Sequence, residues 1–449
     1  MEQGIFNNTY KYLIETFEKE HLKDRDFEPE SLKLKRLEAF QLFNRKGFPS
    51  IKNEDWRFTN LNKVFKEDFK FLDYEQNQPA ISEPIAQLNA CNIVLVNGKL
   101  VPELSDTLPE GITFLDSNAA LSDTFYTDKL GQIAQQNENS ILGLNTAFFK
   151  DFYVLYVKAK KLIEQPIHIS HHFTAGTEPE LLAYRLLVLT EELSESTLIE
   201  TFHSEGQYPV FLSYVSEFSI ASSSVLHTHL ANAASENFHL IHHREVEQHR
   251  NSIFNNSNLS LGNASFIRND LNCRLKDSGT ETNLLGSYIL TAQQHVDNHT
   301  IVDHQKPNCN SMELYKGIMM DHSHGVFNGK IFVREDAQKT NAFQKNNNIL
   351  LSDQASINSK PQLEIFADDV KCSHGSTVGQ FDEDALFYLR TRGIGEEAAK
   401  RMLIQAFIEE VHSKINVPAF RDYVSLLLQN KLDTEKLITA YPESEETWK

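Results

Sequence analysis

Apolar residues recur at helical spacing through residues 8–46, at Tyr12, Leu13, Phe17, Leu32, Leu37, Phe40, Leu42 and Phe43, with charges between them. This predicts two or more amphipathic helices. Gly47-Phe48-Pro49 ends the pattern, because glycine suits a helix terminus and proline cannot continue one. Pro79, Pro84, Pro102 and Pro109 then surround a strand and turn at Ile93-Val94-Leu95-Val96-Asn97-Gly98-Lys99-Leu100-Val101. Leu144-Asn145-Thr146-Ala147-Phe148-Phe149 predicts a short helix, followed by strands at Tyr153-Val154-Leu155-Tyr156-Val157 and Ile167-His168-Ile169-Ser170.

From about Leu186 to Phe381 helical periodicity nearly vanishes. Short β-like runs follow one another, each a few residues long, with Ser, Thr, Asn and His between apolar positions. Val215-Ser216-Glu217-Phe218-Ser219-Ile220 and Leu363-Glu364-Ile365 are examples. Runs of this kind fit a coiled β-solenoid or a double sandwich, and no strict repeat decides between them. After Phe381 helical spacing returns: Ala398, Met402, Leu403, Phe407, Ile408 and Val411 are expected on one stripe, and Pro418 to break that helix. A further helix over 422–437 and a frayed acidic tail, Glu443-Ser444-Glu445-Glu446, complete the expected order.

A chain of 449 residues exceeds one ordinary core, so two or three structural units are expected. The pattern divides the chain into a helical region at 1–75, a mixed connection at 76–165, a β core at 166–380 and a helical domain at 381–449. The formal charge of -19 disfavours nucleic acid and anionic membranes as partners and favours basic proteins. Met1-Glu2-Gln3-Gly4-Ile5-Phe6 does not read as an export signal, so a cytoplasmic location is expected. Cys91, Cys273, Cys309 and Cys372 are dispersed, without a C-x-x-C pair, and are expected as thiols, with Cys91 and Cys273 buried.

Candidate chemistry narrows by elimination. Of 18 histidines, 16 lie between His168 and His374. His227-Thr228-His229 resembles half of a cupin metal site, but Ala233 and Ala234 stand where its glutamate belongs, so these histidines are expected on the surface or hydrogen-bonded within strands. Gly393-Ile394-Gly395-Glu396-Glu397-Ala398 matches a dinucleotide fingerprint, yet Glu396 and Glu397 would oppose a pyrophosphate at the helix start. Neither a phosphate-binding Gly-Lys-Ser/Thr loop nor a nucleophile elbow occurs, so ATP, if used, is hydrolysed by another subunit. Glu54-Asp55-Trp56-Arg57-Phe58-Thr59 reads as a capped turn anchored by its tryptophan.

The remaining candidate is Lys371-Cys372-Ser373-His374-Gly375. On a strand, the two-residue step points the Cys372 thiol and His374 imidazole to one face, a pair suited to iron or zinc that cannot complete a site alone. An adjacent protonated imidazole or a metal would lower the thiol's pKa.

Asp368-Asp369-Val370-Lys371-Cys372-Ser373-His374-Gly375-Ser376-Thr377-Val378-Gly379-Gln380, followed by Leu386-Phe387-Tyr388-Leu389-Arg390-Thr391-Arg392-Gly393-Ile394, strongly resembles the SufB/SufD family of iron-sulfur cluster assembly. Glu54-Asp55-Trp56-Arg57-Phe58-Thr59, and Gly375-Ser376 in place of a Glu-Ala pair after His374, resemble the SufD branch. The resemblance implies a right-handed parallel β-helix core flanked by N-terminal and C-terminal α-helical regions. It also implies a non-catalytic scaffold in a cytosolic complex with a SufB subunit and two copies of the SufC ATPase, one SufC docking on the C-terminal helices. Cys372 and His374 then match positions at the SufB/SufD interface where a nascent cluster or its iron is held, with reduced flavin implicated at the level of the complex. A homodimer in isolation is compatible with this family. A cupin-like metal enzyme using His227 and His229, and a purely structural adaptor for the ATPase, are the competing readings.

Overall fold

The structure, a computed structural model, describes residues 5–21, 28–72, 81–135, 138–380 and 382–434. Met1, Pro79, Phe381, the acidic tail and the end of the helix expected to residue 437 lie outside them.

The middle of the chain winds as a parallel β-solenoid of about eight coils. Successive strands alternate between two ten-stranded sheets. One sheet runs from Ile112–Leu115 to Ser356–Ile365, and the other from Lys99–Leu100 to Lys371–Gly379. The period is visible in single contacts: the ring nitrogens of His295 and His324, 29 residues apart, lie 3.1 Å from each other on adjacent strands.

Alternate positions of each strand point inward. The interior is filled by a continuous apolar cluster that includes Leu198, Phe202, Tyr214, Phe254, Leu284, Phe327 and Ile331. The strands of the coils are longer than the few-residue runs anticipated, reaching 10 or 11 residues. Polar side chains occupy inward positions and bond one another there, as Thr282 Oγ1 donates to Gln248 Oε1 and Asn256 Nδ2 to Thr228 Oγ1. These hydrogen bonds offset part of the cost of burial, so a strand continues where apolar alternation stops.

A recurring corner turns the chain at each coil. Lys160, Leu193, Ser223, Asn251, Asn308 and Lys339 all have φ between 55° and 62°, and each donates its backbone N–H to the next coil's corner, as Leu193 does to Ser222 O and Asn251 to Ser278 O. A left-handed conformation strains a residue with a Cβ. Replacing exposed Leu193 with glycine relieves about 1–2 kcal/mol of strain and loses about 0.4–1 kcal/mol to the freer unfolded chain, so a net gain of roughly 0.5 kcal/mol is expected, measured as a higher urea midpoint; an unchanged midpoint would mean that the two effects cancel.

Helices cover both outer faces. Asn8–Thr16, Glu30–Lys46 and Ser140–Phe148 pack with the first sheet around Phe17, Phe43, Phe148 and Phe211, and Gly47, at φ 65°, closes the second helix. Glu396–His412 and Pro418–Thr434 cover the second sheet through Ile404, Ile408, Phe420 and Leu428. The stripe expected on the former is rotated: Ala399, Ile404, Ile408 and Val411 are buried, whereas Ala398 and Met402 face solvent. Lys400 lies on the buried face, 3% exposed, and pairs with Glu396 at 2.7 Å. Pro418 does not break this helix, which ends at His412; it opens the next, where its missing N–H costs nothing.

Candidate functional site

Among the described residues the last coil has no successor. Ser356–Ile365 and Lys371–Gly379 end their sheets, each hydrogen-bonded to a neighbour on one side only. Inner strands such as Val210–Ile220 are almost wholly buried, but along Lys371–Gly379 every residue except Cys372 is exposed. The solenoid interior therefore opens to solvent through a mouth lined by Cys372, His374, Ser376 and Val378.

Cys372 pairs in register with buried Ala342 and packs against the interior cluster; His374 pairs with Gln344. Strand alternation gives positions 372 and 374 the same, inward side. Cys372 is half-buried and His374 exposed. Burial pushes the Cys372 thiol up, opposed by the backbone N–H of Ala342, so the expected lowering by the adjacent imidazole is not what governs it. A bound metal would supply the charge that ionises it. Among the described residues no three His, Cys, Asp or Glu side chains are grouped to hold a metal ion.

The floor of the mouth was not anticipated. Glu313, 1% exposed, sits two coils inside, accepting from Thr300 Oγ1 at 2.6 Å and Gln344 Nε2 at 3.2 Å, and burial pushes its carboxyl up to about 7. The only hint is that Phe343-Gln344-Lys345-Asn346-Asn347-Asn348 has polar residues on both strand faces.

The other candidates have structural partners. His229 Nδ1 lies 2.7 Å from Ser257 Oγ and its Nε2 2.7 Å from Asn416 Oδ1, so both ring nitrogens are occupied; His227 pairs with Asn255. Cys91, Cys273 and Cys309 are buried. Glu396 and Glu397 occupy the first turn of their helix. The turn Glu54–Trp56 is pinned to the first sheet: the Arg268 guanidinium lies 4.0 Å from the Trp56 ring centre and donates to Asp55 O, Thr59 Oγ1 donates to Asp297, and Lys360 of the last coil pairs with Glu54 at 2.9 Å.

Sequence comparison agrees with this architecture. Residues 7–169 match the SufBD protein N-terminal region, and residues 172–407 match the SufBD core domain of the SUF system for FeS cluster assembly. The chain belongs to the SufBD family. Among its relatives in the SufBD family is the iron-sulfur cluster assembly SufBD family protein slr0076 of Synechocystis, 32% identical over 85% of this chain and 87% of the relative. The iron-sulfur cluster assembly protein SufD of Escherichia coli is 29% identical over 86% and 90%, and that of Bacillus subtilis 24% identical over 92% and 98%. No helix among the described residues is long and apolar enough to cross a membrane.

Proposed function

We propose that this SufBD protein is a non-catalytic, SufD-type scaffold subunit in the cytoplasm, whose open β-helix end joins a SufB subunit to enclose a nascent iron-sulfur cluster. The observation that carries the reading is a thiol and an imidazole sharing the mouth of an uncapped coil. Iron and sulfide are cargo, held by Cys372, His374 and side chains of SufB, and an incomplete ligand set lets the cluster leave. The unpaired edge of Lys371–Gly379, with exposed Phe343, Phe366 and Val378 around it, suits a partner β-helix end.

The C-terminal helices carry exposed Phe387, Tyr388 and Met402, which suit docking of the SufC ATPase. ATP-driven closure of two SufC subunits would pull on these helices and open the cluster interface. Reduced flavin, as an electron source, belongs to the complex, and no residue of this chain is assigned to it.

The test is anaerobic co-purification with SufB and SufC, followed by iron and sulfide analysis. Cys372→Ala should lower cluster loading at least roughly tenfold without loss of either partner, as expected when a ligand thiolate is removed; His374→Ala should have a smaller effect. Normal loading in Cys372→Ala would leave the chain a structural adaptor.

A further inference from the structure

Below the mouth, His374, Gln344 and Glu313 form one column, each in register with the next on successive coils. Adjacent strands are about 4.8 Å apart, so each side chain can reach its neighbour. Gln344 is 1% exposed, and its Nε2 is committed downward to Glu313 Oε1. Its Oε1 is buried without a hydrogen-bond partner. A buried carbonyl with no donor is costly and rare. One coil above, the His374 ring makes no hydrogen bond among the described residues.

Gly329 fixes the amide in place. A Cβ at that position would stand 2.3 Å from Gln344 Nε2 and 2.8 Å from its Cδ, so the backbone leaves room that the glutamine occupies. The amide is thus set from below, between Glu313 and Gly329, one coil beneath His374.

A histidine that binds a metal through one ring nitrogen donates the N–H of the other, and its acceptor fixes the tautomer and the ring orientation. We propose that Gln344 is a positioning residue for His374: its Oε1 accepts the imidazole N–H when the opposite ring nitrogen binds a divalent metal, and Glu313 and Gly329 hold the amide in that orientation. The inference rests on reading Cys372 and His374 as a metal half-site. It adds an internal carboxylate–amide–imidazole relay two coils deep.

The experiment measures Zn(II) affinity by chelator competition on the anaerobic complex with SufB and SufC, in four forms: wild type, His374→Ala, Gln344→Met, and the double variant. Gln344→Met should weaken binding roughly ten- to hundred-fold when His374 is present, the usual effect of losing an acceptor behind a ligand. It should have no further effect in the His374→Ala background. An equal loss in both backgrounds, or none in either, overturns the relay. Gly329→Ala, which displaces the amide but keeps its oxygen, should reproduce the loss and carries the same cycle if Gln344→Met does not fold. If His374→Ala leaves affinity unchanged, the half-site reading fails and the relay with it; a loss with His374→Ala but none with Gln344→Met or Gly329→Ala overturns the relay alone.

Discussion

Lowering the pH from 7 to 5 is expected to destabilise the fold strongly, because burial holds several histidines neutral. His168 lies between Asn92 and Thr201, His229 between Ser257 and Asn416, His304 against Ser311 and His412 against Ser287. Burial lowers His168 to about 3 and the other three to about 4. An unfolded histidine titrates near 6.5, so below that pH the unfolded chain takes up protons that the folded chain refuses. Stability from these groups is complete above pH 6.5 and is lost as the pH falls toward 4. Each costs about 1.4 kcal/mol per pH unit, and the four together about 8 kcal/mol by pH 5, comparable to the whole stability of an ordinary domain.

His243 works in the opposite direction. Burial disfavours its charge, but Asp270 and Glu245 outweigh that and raise it to about 9. Its contribution is full below pH 6.5 and is lost as the pH rises through 9. Urea midpoints recorded from pH 4 to 10 should therefore peak near neutrality and fall steeply on the acid side. A midpoint unchanged between pH 7 and 5 would contradict the histidine account.

Glu217→Ala is expected to cost about 3–5 kcal/mol, enough to prevent folding or to lower the melting temperature severely. The Glu217 carboxylate is fully buried; it accepts the backbone N–H groups of Gly131, Ile133 and Ala134, and pairs with Arg185 at 3.1 Å. Truncation leaves a buried guanidinium without its counter-charge and three amides without an acceptor. Arg185 also donates to Asn145 and Thr146, so the damage would spread to the helix Ser140–Phe148. Glu217→Gln keeps an acceptor and should cost less. Joint replacement of Arg185 and Glu217 by apolar residues should be milder than the single truncation, and equal losses in chemical denaturation would argue against an unpaired charge as the cause.

What could be read from the sequence divides along physical lines. The flanking helices were legible because their apolar residues repeat within a single element, although the buried face of Glu396–His412 includes Lys400, which hydropathy alone would place outside. The coils were harder, since their repeat lies in geometry. Lys160, Leu193, Ser223, Asn251, Asn308 and Lys339 share a corner conformation yet span four residue types. Choosing the solenoid over a sandwich therefore rested on the family resemblance around Cys372 and His374.

The site divides in the same way. The thiol and imidazole stand two residues apart, so their shared face follows from strand alternation. Gln344 and Glu313 join them through stacking across coils, with separations of about thirty residues that no local pattern reveals.

The exposed edge Lys371–Gly379 bears on how the chain is made as well as on what it binds. The outward-facing amides and carbonyls at alternate residues of this nine-residue strand offer the same ladder to a cognate subunit and to another copy of the same polypeptide. Overproduced copies would pair edge to edge through this strand, so synthesis in step with the intended companion limits that self-association.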